Sequence, residues 1–195
     1  MRHLIHRSLL STTTSSRPLL VATTDVRTPK VSQLYSSGCV AEIAWWIEEA
    51  GEQYRITAKT YVLPVAGHDL HGRFPFEMLA LERSEGEEEG GGDNVTMWER
   101  ERIDTFDNKM GDVLRASFCR PKPGSPLPGG YDSANEWPER LPRSSEAAKG
   151  TEEAKQVTEA LNNFALVVFQ PTKVERIELG IVRFYSFLSF YFWFK

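Results

Sequence analysis

At 195 residues, with 41% hydrophobic and 26% charged side chains, the chain can bury a core of its own and is not disordered throughout. A net charge of -4 and the lack of a local basic patch set nucleic acid aside as a partner. Cys39 and Cys119, with no CxxC spacing, exclude a disulfide-built secreted domain and fit small buried hydrophobes in a reducing, cytoplasmic setting.

In chain order, residues 1–17 carry Arg2, Arg7 and Arg17, many hydroxyls and no acid. Two readings stay open: a mitochondrial presequence, or a serine- and threonine-rich loop ahead of the first strand. "RPLLVATTD" predicts a buried strand over residues 19–24. In "TPKVSQLYSSG", Thr28 stands at an N-cap and Pro29 at the first helical position. Val31, Leu34 and Tyr35 share a face and Gly38 is a stop, which together predict a short helix. Residues 39–47 read as a strand. After "EEAG" a second strand alternates Tyr54, Ile56 and Ala58 with Gln53, Arg55, Thr57 and Lys59, an antiparallel hairpin with one buried face.

Residues 83–94 are acidic and glycine-rich, a loop that cannot pack a core, with Glu87 to Glu89 solvated. They contain no phosphate loop, because the strand, lysine and hydroxyl that define one are missing. Trp98, Ile103, Phe106, Met110, Val113, Leu114 and Ser117 predict one long amphipathic helix between Val95 and Phe118. Residues 121–143 are too rich in proline and glycine for regular structure and are expected to drape over a surface or close a site. Thr151 caps a helix through Leu161, and "NFALVVFQP" and "KVERIELGIV" predict a strand pair. The aromatic run 183–195 is shorter than the ~20 residues of a membrane-spanning helix. It reads as an atypical tail from an altered C-terminus, and no membrane partner is expected.

The stretch richest in chemistry is "TTDVRTPK". A helix N-terminus there would attract an anion, with the Thr28 hydroxyl and the charges of Arg27 and Lys30 within reach. A capped surface helix with two solvated cations accounts for the same residues.

The order strand, T-D-x-x-T-x-K, short helix, strand ending in W-W, then a turn into E-Q-Y-R-I resembles the pyridoxamine 5'-phosphate oxidase-like FMN-binding split barrels. "VLRASFCRPKPGSPL" and "NFALVVFQPTKVERIELG" are similar to the branch found in cyanobacteria, plants and fungi. The resemblance implies an α+β fold, an FMN-binding split β-barrel domain over residues 18–182 with peripheral helices, and a homodimer with FMN at its interface. It further implies Thr24 and Lys30 on the flavin phosphate, with Arg27 and Thr28 beside them, and Gln53 on the flavin edge. Pro29 stands where the oxidases proper have an arginine, and Arg27 offers a replacement charge. The two strands that open family members and the arginine- and tryptophan-bearing strand that closes them are not recognised here, so the barrel is expected to be incomplete, truncated at both ends. The implied function is that of a flavin-dependent oxidoreductase of unknown substrate. The alternative is a non-catalytic flavin or small-ligand binding module, or a degenerate partner subunit.

Other residues have competing readings. One of Trp45 and Trp46 must face the core and the other the opposite side. His68, Asp69 and His71 are a loop cluster whose spacing matches no metal motif, and no metal is expected. Arg55 holds an anionic group or pairs with Glu52 or Glu42. Tyr131 and Trp137 line a pocket or pin their loop.

Overall fold

The computed structural model describes residues 3–82, 92–127 and 129–178, and the backbone of 183–187. Its elements, in order, are β1 (His6–Thr12), β2 (Ser15–Asp25), α1 (Pro29–Ser36), β3 (Val40–Ile47), β4 (Glu52–Leu63), α2 (Asn94–Asn108), α3 (Asp112–Ala116), α4 (Glu152–Asn163), β5 (Phe164–Glu178) and β6 (Arg183–Phe187). All pairings are antiparallel, in the order β1-β2-β5-β4-β3. β6 pairs with the second half of β5, on the side where β2 pairs with the first half.

The sheet curls. β1 and β3 are its two edges, yet the His6 and Trp45 rings lie 5.1 Å apart. Inside the curl Leu20, Ala22, Ile56, Ala58, Val167, Phe169 and Val174 form one cluster, with Ile43, Trp45 and Tyr54 packed against it. The outer face of β2, β5 and the end of β4 is covered by α2 and α4 through a larger cluster that includes Trp98, Phe106 and Phe118. Phe164 meets Phe106 and Phe118 edge-on, at 5.3 and 5.4 Å between ring centroids, the arrangement that aromatic quadrupoles favour.

The β3–β4 hairpin follows the sequence closely. Its turn closes with Gly51 N–H on the Glu48 carbonyl, and Gly51 takes φ +62°, a left-handed conformation that costs glycine nothing. Ile56 and Ala58 are buried while Arg55 and Lys59 are exposed. Trp45 faces inward and Trp46 outward. Between α1 and β3 the chain reverses through two left-handed residues, Gly38 at φ +81° and Cys39 at +58°.

Several expectations are corrected. His6–Thr12 is a strand, not a loop, because its alternation is real though short: Leu10 packs against the core while Leu9 is exposed, and the Thr12 hydroxyl donates to Ser15 O at the hairpin turn. The expected helix between Val95 and Phe118 breaks. α2 ends at Asn108 and α3 restarts after Gly111, and the Arg115 guanidinium donates to Asp107 O and Met110 O at the break. Carbonyls that would otherwise be orphaned at a helix end are thereby satisfied. Val113, on the expected apolar stripe, is exposed, and Arg102 is buried in its place, donating to Glu99 and Leu161 O.

The two strands expected after Asn163 are one, β5. Pro171 does not break it because the register slips there: Ala58 faces Pro171 and Thr57 faces Lys173, leaving Thr172 as the extra residue of a bulge, a site where a sheet tolerates proline. The tail begins as strand β6, and residues 188–195 lie outside the described residues. So do 83–91 of the acidic stretch, Glu87 to Glu89 among them, while Asp93 caps α2 by accepting from Thr96 N–H. Both cysteines are half-buried rather than buried. Burial pushes the Cys119 thiol up to about 11, far from the thiolate form that reacts.

Candidate functional site

Where β2 ends, Thr24, Asp25, Thr28 and Lys30 line an open cleft of about 600 Å³. Its floor is β2 and the head of α1. It is also lined by the segment leading into β1 and by residues of 117–127 together with Trp137, which we term the strap. The Thr28 hydroxyl donates to Asp25 O at 2.8 Å and lies 3.4 Å from that of Thr24, which is itself buried. Thr28 holds the N-cap position in extended backbone without a side-chain cap bond. Of the first amides of α1, Pro29 has no N–H and Val31 donates to Thr28 O. Side chains therefore carry more of any grip on an anion here than the free backbone N–H groups expected from the sequence.

Arg27 is not among the residues lining the cleft. Its guanidinium points behind it, donating to both carboxylate oxygens of Asp25, with contacts down to 2.7 Å, and to Phe118 O and Arg120 O at 3.2 and 2.9 Å. Asn163 adds a second bond to Phe118 O. The strap is thus tied to the end of β2. Asp25 is the one carboxylate on the cleft wall, and its charge is met by this pair, while Arg7, Lys30, Arg120 and Lys122 also line the cleft. The lining is therefore cationic.

Gln53 is elsewhere. Thr24 faces Ala165 on β5 and Gln53 faces Ile177 on the same strand, an axial separation on the order of 40 Å along a straight strand. Gln53 pairs with Trp46, on the face of the hairpin turned away from the barrel interior. Arg55 lies opposite Glu175 and forms no ion pair with Glu52 or Glu42; Glu52 is held by Arg176 and Tyr54 instead. Those bonds, the one from Arg176 foremost, hold the Glu52 carboxyl below the usual range. His68 Nδ1 accepts from Leu70 N–H, a local turn. No group of three or more His, Cys, Asp or Glu able to hold a metal occurs among the described residues.

Trp137 lines the cleft, while the side chain of Tyr131 lies outside the described residues. Arg7, Arg120 and Lys122 escaped the sequence reading. The one available signal was the pair of cations beside the proline and glycine of "RPKPG".

Comparison with known proteins follows the same lines. Residues 1–64 match the family model described as pyridoxamine 5'-phosphate oxidase, FMN-binding domain. No curated protein matches the chain. Among solved structures, a pyridoxamine 5'-phosphate oxidase-related, FMN binding protein from Nostoc punctiforme superposes with a TM-score of 0.57 at 22% identity, over 92% of this chain and 68% of that one. The fold is accordingly the α+β split barrel of that protein. No helix among the described residues is long and apolar enough to cross a membrane.

Proposed function

We propose that this chain is an FMN-binding flavoprotein, a flavin-dependent oxidoreductase resembling pyridoxamine 5'-phosphate oxidase, with Thr24, Thr28 and Lys30 on the flavin phosphate. The observation that carries this reading is the cationic cleft at the end of β2: its one carboxylate is already paired, and Thr24, Thr28 and Lys30 on its lining fall within residues 1–64, which match the FMN-binding family model. A phosphate dianion fits such a donor set, because charge-assisted bonds from lysine and arginine are the strong ones. The cleft volume also suits a mononucleotide. FMN, when bound, supplies electron or hydride transfer; the side chains named here grip and orient it.

Gln53 enters this reading through a second copy of the chain. Lying at the far end of β5, it meets a flavin seated at Lys30 only when a partner presents it, which is how a homodimer with the cofactor at its interface would work. The exposed Trp46 beside Gln53 offers that partner an apolar anchor. We place residues 18–182 in this one domain together with the flanking strands β1 and β6, which pair into the same sheet. The free thiols fit a cytoplasmic protein.

The test is bound flavin. Purified protein, with FMN added during preparation, is expected to be yellow, and Lys30→Ala and Gln53→Ala are each expected to lower occupancy about tenfold or more, the loss of one charge-assisted or cofactor bond. Mixing the two variants in equal amounts after partial unfolding should restore about a quarter of the sites, since half of the dimers are mixed and each mixed dimer holds one site with both residues intact. No flavin under any of these conditions would sink the proposal; flavin binding without complementation would sink the shared site. Anaerobic reduction of the bound flavin by amines or NAD(P)H separates an oxidoreductase from a binding module.

A further inference from the structure

Arg27 precedes Thr28 and Lys30 in sequence and by position alone belongs on the anion. The structure gives it other work. Four acceptors on Asp25, Phe118 and Arg120 hold its guanidinium, and turning toward a ligand in the cleft would break all of these bonds. On the strap, Arg120 and Lys122 line the same cleft and are exposed, and neither side chain forms an ion pair with a described residue.

Lys122 also sits on a built turn. The Ser125 N–H and hydroxyl both donate to Lys122 O, at 3.0 and 2.7 Å, with Pro123 and then Gly124 at φ +85° between them. Proline followed by left-handed glycine is the arrangement of a type II turn. The backbone that carries both cations is therefore fixed from two sides, by that turn and by the Arg27 bond to Arg120 O.

We infer that Arg120 and Lys122, which line the same cleft as Lys30, complete a phosphate grip, and that Arg27 is a positioning residue that holds them there. Arg27 does this by tying the strap carbonyls to the end of β2 and by neutralising Asp25, whose carboxylate would otherwise repel the phosphate. The inference rests on the flavin-phosphate reading for its ligand but not for its geometry, which suits any phosphate monoester or pyrophosphate.

The experiment titrates the purified full chain with FMN, with riboflavin, which lacks the phosphate, and with inorganic pyrophosphate. It uses wild type, Arg120→Ala/Lys122→Ala, Arg27→Lys, and the triple combination. Arg27→Lys keeps the charge but cannot span a carboxylate and two carbonyls. It also guards against the misfolding that Arg27→Ala risks.

The strap variant is expected to lose about tenfold to a hundredfold in FMN affinity, as for loss of charge-assisted bonds, with riboflavin affinity unchanged. Arg27→Lys should lose a comparable factor and add little in the triple variant, since coupled residues are non-additive. Full FMN preference in the strap variant, or an Arg27→Lys effect that adds fully to it, overturns the inference. If the wild type binds no flavin but binds pyrophosphate with the same pattern across variants, the flavin reading fails and this one stands. If it binds neither, both fall.

Discussion

β5 has two halves that live differently. From Phe164 to Phe169 every residue is buried, because helices cover one face of the sheet and the barrel interior the other. From Gln170 to Glu178 only Val174 is buried, and Lys173 and Glu175 pair with each other at the surface. The first half therefore reads as a continuous apolar run, the second as one-sided. The residues proposed for the phosphate lie beside the first half, all on one cleft of a single chain. Gln53 and Trp46 sit beside the second, where no helix among the described residues covers one face of the sheet.

The sharpest way to break this contrast is to remove one large aromatic from the first half and one from the hairpin beside the second. Phe164→Ala should cost about 3–5 kcal/mol of unfolding free energy, transfer plus cavity, in urea titrations. Trp46→Ala should stay within about 0.5 kcal/mol for the isolated chain, as for most surface changes. If Trp46→Ala instead costs more as protein concentration rises, the open half is an interface in solution. Equal losses from both variants at low concentration would end the comparison.

Acid has the next largest effect, and because Asp93, Asp104 and Asp112 on and around α2 and α3 are also held below the usual range, only a variant of Glu52 isolates the open half. Because Arg176 and Tyr54 lower the Glu52 pKa from about 4.5, the folded state binds fewer protons than the unfolded one. Glu52 thus contributes stability that is fully present above pH of about 4.5 and is lost as pH falls through its lower folded value. Glu52→Gln should flatten the acid limb of stability against pH in denaturant titrations from pH 5 to 3. An unchanged slope would mean the Arg176 cluster is not holding that carboxylate.

The smallest expected effect lies on the path between the halves. Cys39 holds φ +58°, a conformation that costs non-glycine residues about 1 kcal/mol. Cys39→Gly should raise stability by up to ~1 kcal/mol, read as a higher urea midpoint. A drop would show that the half-buried thiol packs more than the backbone strains.

The sequence was most legible where a single period governed a segment. The alternation from Gln53 to Lys59 placed a hairpin and its buried face, and Pro29 with Gly38 bracketed α1. It was least legible where a residue answers to something distant. Arg27 looked like a ligand-binding cation because its carbonyl partners, on Phe118 and Arg120, lie in a segment that no local pattern could bring near. Arg102 and Arg115 broke the apolar stripe of the expected helix for the same reason, each meeting carbonyls from another element. Pro171 argued for two strands because a bulge cannot be read from one strand alone. The candidate site was half legible: Thr24, Thr28 and Lys30 come together as expected, and the strap that lines the cleft with them does not announce itself.

The central place of β5 has a consequence in time. It lies between β2 and β4, and its partners Leu20 and Phe169 are about 150 residues apart in sequence, the kind of contact that slows folding. Until residues 164–178 have been made, the chain consists of two separate hairpins with no strand to join them. On a ribosome the barrel therefore waits for residues 164–178, and emergence of that segment, rather than formation of either hairpin, sets when protease resistance begins.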